Sequence, residues 1–326
     1  MRRRAWLLAT GSATTLHALV GAAPALAQMA SEPRRIGMLT VADKASFAGQ
    51  LQAFRDGLRA RGHIEGRDIV IDIRYADARQ PGLAQLAADL AAQRPSVIVG
   101  FGPAATQAAH AATADVPIVA LLRDFVAAGM ATELGRPAGR VTGVSFFGAT
   151  LNAKRLELLA ELLPKGSAVL NLAEPNSLDL PSVEAAGRAL GVTMHAAYAA
   201  TPQQIDTAFA TARGLRVAGI NQLASPFLHA HRLRIIELAA MARLPVMYQW
   251  PDSARDGGLM AYGPSLTAID VQLANYVSRI LGGAKPGDLP IEQPSRFEFV
   301  INLKTAKAIG ITIPQSLLLR ADEVIQ

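Results

Sequence analysis

Apolar and polar positions along the chain fall into short units of two alternating kinds. Arg35–Val41 reads as a strand, and Phe47–Arg61 places its apolar residues at helical spacing before Gly62 closes it. Ile69–Tyr75 alternates apolar with polar residues, the pattern of a strand. Leu83, Leu86 and Leu90 then share one face of a helix, and Val97–Val99, Ile118–Leu122 and Val141–Phe146 are further strands. Strand and helix in strict alternation predict a parallel sheet covered on both faces.

The rhythm then restarts. "LNAKRLELLAELLP" is a helix ended by Pro164, and Ala168–Ala173 is the strand that follows. A helix around Val183–Leu190 stops at Gly191, and Val192–Tyr198 is again a strand. A helix over Gln204–Ala212, the strand Val217–Gln222, one long helix Leu228–Arg243 and the strand Pro245–Tyr248 complete a second unit. The halves share no close sequence repeat, only the rhythm. A chain of about 300 residues suits two domains, so the expectation is two similar α/β lobes with a cleft between them. In such sheets, ligands bind outside the carboxyl ends of the strands.

The first residues change the picture. Arg2, Arg3 and Arg4 precede an apolar stretch and then Ala25-Leu26-Ala27, the three regions of a secretory signal peptide, with cleavage expected after Ala27. Thr, Ser and His interrupt the apolar run, which is shorter than the roughly 20 residues of a membrane span. The arginines before Trp6-Leu7-Leu8 leave both the general and the twin-arginine export routes open. The three leader arginines are among 32 basic residues, which leaves 29 against 26 acidic ones in the mature chain. Much of the basic balance therefore belongs to the leader. No basic run with interleaved aromatics points to nucleic acid. The chain has no cysteine, which excludes disulfides, thiolate metal sites, a cysteine nucleophile and a lipid anchor on cysteine.

Catalytic constellations are not found. "GVSFFG" around Ser145 has its second glycine one place too late for a nucleophile elbow. His229 and His231 stand two apart on a helix, facing different ways and with no third ligand nearby. Glu157 and Glu161 are flanked by Lys154 and Arg155, as on a solvated helix face.

The strand ends carry more. Gly100-Phe101-Gly102-Pro103-Ala104-Ala105 fits G-x-G-x-x-A, with Asp124 about where a ribose-binding acid falls. A nicotinamide cofactor and a small carboxylate are therefore both open at this helix start. Thr40-Val41-Ala42-Asp43 and Arg123-Asp124-Phe125 follow two other strands, so that three turns converge on one sheet edge. Gly102 would let a ligand approach the backbone, and Pro103 suits a first helical position. Arg123 is either a salt bridge at the strand end or a clamp for a carboxylate. The second half offers Glu174-Pro175-Asn176-Ser177, Ser225-Pro226-Phe227 and Tyr248-Gln249-Trp250, with Tyr262 nearby. Aromatics are only 5% of the chain, so Tyr248, Trp250 and Tyr262 are candidate walls of a small-molecule pocket, or core.

"FRDGLRARGHIEGRDIVIDIRYAD", "LAADLAAQRPSVIVGFGPAA", "LNAKRLELLAELLPK", "GGLMAYGPSL" and the long run "RILGGAKPGDLPIEQPSRFEFVINLKTAKAIGITIPQSLLLRADEVI" together resemble the substrate-binding proteins of ABC transporters, of the type that includes the tryptophan-uptake-like binders. The resemblance spans the mature chain. It implies the type I periplasmic binding protein fold: two Rossmann-like lobes with parallel-type sheets, joined by a multi-strand hinge that closes on ligand. Lobe 1 is expected over 28–143 plus about 258–290, and lobe 2 over 144–257 plus about 291–326. The crossings are expected near Val141–Val144, between Trp250 and Tyr262, and in Gly282–Pro294.

The ligand-binding set expected from the turns and the resemblance is Thr40, Val41, Asp43, Phe101, Gly102, Pro103, Ala104, Arg123, Asp124, Phe125, Asn176, Ser225, Pro226, Tyr248 and Tyr262. Where the family tends to read Gly-Gly-Thr-Pro this chain has Gly100-Phe101-Gly102-Pro103, Arg123 replaces a small residue, and Ser225 stands where an acid is common. Losing that acid weakens the case for an ammonium group and gaining Arg123 strengthens that for a carboxylate, so the expected ligand is an aromatic or branched organic acid, or an amino acid held differently. Export, the place of the glycine fingerprint on a third strand and the resemblance together disfavour a nicotinamide cofactor. The implied protein is a monomeric, non-catalytic periplasmic receptor that needs no cofactor or metal. Its partners would be a small ligand and an inner-membrane permease with its ATPase, and not nucleic acid. A ligand-sensing receptor module, or an exported or NAD-binding enzyme, is the alternative.

Overall fold

The structure is a computed structural model that describes residues 32–76, 82–146, 149–175, 177 and 179–326. The expected leader and Asn176 lie outside the described residues.

Five strands form the first sheet: β1 (Arg34–Thr40), β2 (Ile69–Tyr75), β3 (Val97–Phe101), β4 (Ile118–Leu122) and β5 (Val141–Ser145). Their order is β2-β1-β3-β4-β5, and every pairing is parallel. Three helices alternate with these strands: α1 (Ala48–Arg59), α2 (Leu83–Ala92) and α3 (Pro103–Ala112). Side chains of a strand point alternately to the two faces, and β3 shows the consequence. Val97, Val99 and Phe101 enter the core on one side, while Ile98 joins Leu83, Leu90 and Ala105 on the other. Both sides are dry, which is why β3 and β4 read as unbroken apolar runs.

The second sheet begins after α4 (Ala149–Leu162). Its elements are β6 (Ala168–Ala173), α5 (Leu180–Leu190), β7 (Thr193–Tyr198), α6 (Pro202–Gly214), β8 (Gly219–Gln222), α7 (Pro226–Ala230), α8 (Arg232–Ala242), β9 (Val246–Tyr248), α9 (Pro251–Arg255) and β10 (Met260–Pro264). After α10 (Leu266–Leu281) come β11 (Phe297–Asn302), α11 (Leu303–Ile309), α12 (Gln315–Leu318) and β12 (Glu323–Ile325). The order is β12-β11-β10-β9-β8-β6-β7, and the β10–β11 pair is antiparallel. Where one helix is expected over Leu228–Arg243, the chain forms α7 and α8 with a break at His231, because Ser225 and Pro226 start a helix two residues earlier.

Strand β10 pairs with β9 and β11, so 258–264 belongs by pairing to the second sheet rather than the first lobe. The chain returns only at α10. Gly57 on α1 permits that return, since a Cβ there would stand 2.8 Å from Ala274 Cβ. The third crossing runs beside β5: Ser145 donates its N–H to the Glu292 carbonyl at 2.9 Å and Glu292 donates to Gly143 at 3.1 Å. Among the described residues no helix is long and apolar enough to cross a membrane.

Candidate functional site

A cavity lies between the two sheets, at the carboxyl ends of their strands. The first lobe contributes Thr40, Val41 and Ala42 after β1, Ser46, Phe47 and Gln50 at the head of α1, Phe101 and Gly102 after β3, and Leu121 and Phe146. The second contributes Ser225, Pro226, His229 and Ala230 around α7, and Trp250 after β9, with Leu266 of α10 at the crossing.

Aromatic rings build the walls. Phe47 and Phe101 meet edge to face with centroids 4.7 Å apart. Phe146, at the exit from β5, meets Trp250 of the other lobe at 5.4 Å. Both arrangements are the edge-on geometries that ring quadrupoles favour. Polar groups in the lining are neutral: Thr40, Ser46, Gln50, Ser225 and His229. Burial pushes the His229 imidazole down to about 3, helped by the nearby Arg232 cation, so the ring is neutral at physiological pH. Its Nδ1 is enclosed without a hydrogen-bond partner.

The lobes touch closely at one glycine. Gly102 has φ +90°, and a Cβ there would stand 2.8 Å from Pro226 Cγ. The group that approaches this backbone is thus a proline of the opposite lobe. Ser225 caps α7 by accepting the Leu228 N–H at 2.9 Å. Its hydroxyl also bonds the carboxyl of Glu174, which burial raises above the ordinary carboxylate range despite that bond. An acid therefore stands beside Ser225 even though position 225 is not one.

Six of the expected residues line the cavity: Thr40, Val41, Phe101, Gly102, Ser225 and Pro226. The other described ones stand elsewhere, each for a local reason, and Asn176 lies outside the described residues. Asp43 accepts the N–H groups of Ala45 at 2.8 Å and Ser46 at 2.9 Å. Burial raises its carboxyl, but these bonds outweigh burial and leave it below the usual range. It shapes the turn that carries Ser46. Pro103 starts α3 on the exposed side, and Ala104 packs against the outer core. Asp124 accepts the N–H groups of Val126 and Ala127, so it closes its own turn instead of reaching a ribose. Phe125 is fully buried in the outer core of the first lobe.

Arg123 does not face the cavity with a free guanidinium. It is bonded to Asp179, just ahead of α5 in the second lobe. Of the two roles open to it in the sequence, the structure takes the salt bridge. Tyr248 is buried in the second core, where burial raises its phenol, and its hydroxyl has no partner. Tyr262 packs its ring against Phe297 and Phe299 and gives its carbonyl to Arg155 Nε at 2.6 Å. Arg155, fully buried, is lowered to about 10 by burial, with Asp179 and Tyr262 opposing.

Sequence reasoning missed Phe47, Gln50, Phe146, His229 and Leu266 as lining residues. The scarcity of aromatics was a usable signal for Phe47 and Phe146, as it was for Trp250. Among the described residues no three His, Asp or Glu side chains gather to hold a metal ion.

Comparison with known proteins gives four relevant likenesses. The model of the family described as ABC transporter substrate binding protein matches residues 35–325. The "Tyrosine-binding protein" of Clostridioides difficile (strain R20291) is 23% identical over 283 residues, covering 85% of this chain and 81% of that protein. A conserved domain protein from Vibrio cholerae superposes with a TM-score of 0.82 at 26% identity, covering 90% of this chain and all of that one. An ABC domain from Streptococcus pneumoniae, solved in complex with L-Trp, superposes with a TM-score of 0.79 at 24% identity over 89% of this chain and 100% of that one.

Proposed function

Because the chain belongs to the family of ABC transporter substrate-binding proteins, we propose that it is the exported receptor of an importer, and that it holds an amino acid or small organic acid with an aromatic or branched group between its lobes. The cavity carries this reading. It is a concave site between the lobes, the usual place for a small ligand, it draws on both lobes, and four of its lining residues are aromatic: Phe47, Phe101, Phe146 and Trp250. The tyrosine in the name of the Clostridioides difficile relative and the L-Trp of the Streptococcus pneumoniae complex accord with an aromatic ligand.

Residues 1–27 direct the chain to the periplasm and are removed after Ala27. The mature protein acts as a monomer and has no catalytic role. Closure of the lobes around ligand creates the surface that an inner-membrane permease, powered by its ATPase, recognises. Thr40, Ser46 and Ser225 supply hydroxyls to the polar end of the ligand, while the rings enclose its apolar part. With Arg123 held by Asp179, the polar end is met by neutral groups. A sensory receptor would have the same cleft, and permease and ATPase genes beside this one distinguish the importer.

The test is a thermal-shift screen of the mature protein, stripped of ligand by unfolding and refolding, against amino acids, aromatic acids and short aliphatic acids. A ligand at 100 times its Kd adds about 2.7 kcal/mol, or several degrees in Tm. A shift confined to aromatic or branched compounds is expected. A screen in which nothing shifts, or only NAD(H) does, overturns the reading.

A further inference from the structure

At the edge of the second sheet remote from the cavity, four connections lie side by side. Each leads from a helix into a parallel strand: α4 to β6, α5 to β7, α6 to β8 and α8 to β9. Backbone bonds tie them together there. Thr193 donates its N–H to the Ser167 carbonyl at 3.1 Å, Ala218 to Ala168 at 2.7 Å and Ile220 to Pro245 at 2.9 Å.

These connections, with the last helical turns before them, carry five exposed cations: Lys165, Arg188, Arg213, Arg216 and Arg243. Among the described residues none of the five forms an ion pair, whereas Arg55, Arg234, Arg255 and Arg320 on the surface each hold an acid. No Asp or Glu occurs in 162–173, 185–205, 207–236 or 238–251. Of the acids nearest in sequence, Glu161 and Glu237 are taken by Arg320 and Arg234, and Glu184 stands a turn back from Arg188. Arg216 and Arg243 have φ of 53° and 50°, the left-handed conformation that Gly166 and Gly191 take in the other two connections. Glycine fits there without strain, so local structure does not call for arginine.

Apolar side chains stand among the cations. Leu190 is 42% exposed, Leu215 44% and Met241 70%. Helix dipoles favour cations in a last turn, but they give no reason for these three.

We propose that this edge is a docking surface for an anionic lipid bilayer. Unpaired cations interleaved with protruding apolar side chains, and no acid between them, complement charged headgroups over a hydrocarbon layer. The three apolar residues stand on three separate connections, an arrangement that a fluid headgroup layer accommodates one side chain at a time. The cavity lies at the opposite, carboxyl ends of the strands, so the protein rests on the bilayer with its cleft unobstructed. The proposal does not depend on what the cleft holds.

Cosedimentation of the mature protein with phosphatidylcholine vesicles, with and without phosphatidylglycerol, tests this. Binding to the anionic vesicles should be at least about tenfold tighter, and high salt should release it. Arg216→Glu with Arg243→Glu should remove most of that preference. The same reversal at Arg59 and Arg94 of the first lobe, which changes net charge equally, should leave it in place. Leu215→Ser with Met241→Ser carries the test if the charge-reversed protein does not fold. The chain has no cysteine, so Met241→Cys takes a single polarity-sensitive fluorophore. Its emission should shift to the blue on anionic vesicles, and the same label at Leu233→Cys, near the other end of α8, should not respond. Equal binding to both vesicles, equal loss from the first-lobe reversal, or a silent label at 241 on vesicle-bound protein overturns the proposal. Preference for soluble polyglutamate over the anionic vesicles overturns it in favour of an acidic protein partner.

Discussion

The guanidinium of Arg123 is paired with the carboxylate of Asp179, and the pair ties the turn after β4 in one lobe to the start of α5 in the other. Asp179 is almost wholly buried, its side chain only 3% exposed, and Arg155 adds a second positive charge nearby. The Ser145 hydroxyl, at the end of β5, holds the Arg123 carbonyl at 2.8 Å. The lobes are therefore joined by an ion pair of the chain's own charges.

Arg123→Ala should cost about 1–3 kcal/mol of stability in urea unfolding, since it strands a buried acid that Arg155 compensates only in part. Small-angle scattering of the ligand-free variant should show a more open particle. Ligands with and without a carboxylate should weaken alike. A loss confined to carboxylates would restore the clamp role.

Gly102→Ala should disfavour closure for two reasons: φ at +90° suits glycine, and the new Cβ would press on Pro226. The expected cost is about 1–2 kcal/mol from the backbone alone. Ligand affinity should drop by roughly tenfold. Adding Pro226→Ala should recover the steric part and leave the backbone part. Full recovery would argue against strain at Gly102.

Trp6 lies within the expected leader, so Trp250 is the only tryptophan of the mature chain, and it stands in the cavity wall. Intrinsic emission should therefore shift on ligand binding, and Trp250→Phe should abolish the signal. Truncation to Ala should destabilise by about 3–5 kcal/mol, as for other buried large aromatics. Emission that is unchanged at saturating ligand would place the ligand away from this wall.

His229 and Asp270 should impose opposite pH dependences on stability. The native histidine, at about 3, refuses a proton that the unfolded chain takes up near 6.5. Its contribution is therefore complete above 6.5 and is lost as pH falls toward 3, by up to about 1.4 kcal/mol per pH unit. Burial, reinforced by Asp252, raises Asp270 well above 3.8, so native protein holds a proton that unfolded chain releases. That contribution is present at low pH and is lost as pH rises from 3.8 toward the raised value. In melting curves between pH 4 and 6.5, Asp270→Asn should make Tm rise more steeply with pH than in the wild type, and His229→Gln should make it fall relative to wild type. Parallel profiles for all three proteins would show that neither group titrates as described.

Much of the fold is legible in the chain itself. Apolar alternation, glycine stops and proline starts are local signals, and strands such as β2, β4 and β6 occupy the residues that the pattern marks. The turns after β1, β3 and β8 are legible for the same reason, because ligands of parallel sheets gather at strand ends. That is how Thr40, Phe101, Gly102, Ser225 and Pro226 are found. What the sequence could not determine depends on neighbours far along the chain. Strand β10 joins the second sheet, and only α10 returns to the first, because its pairing with β9 and β11 is a choice between distant partners. The pairing of Arg123 depends on Asp179, 56 residues away, and the face that Tyr248 and Tyr262 present depends on core packing. Periodicity shows which side of a strand is apolar. Which apolar side faces a core and which faces a cavity is decided only when the two sheets meet.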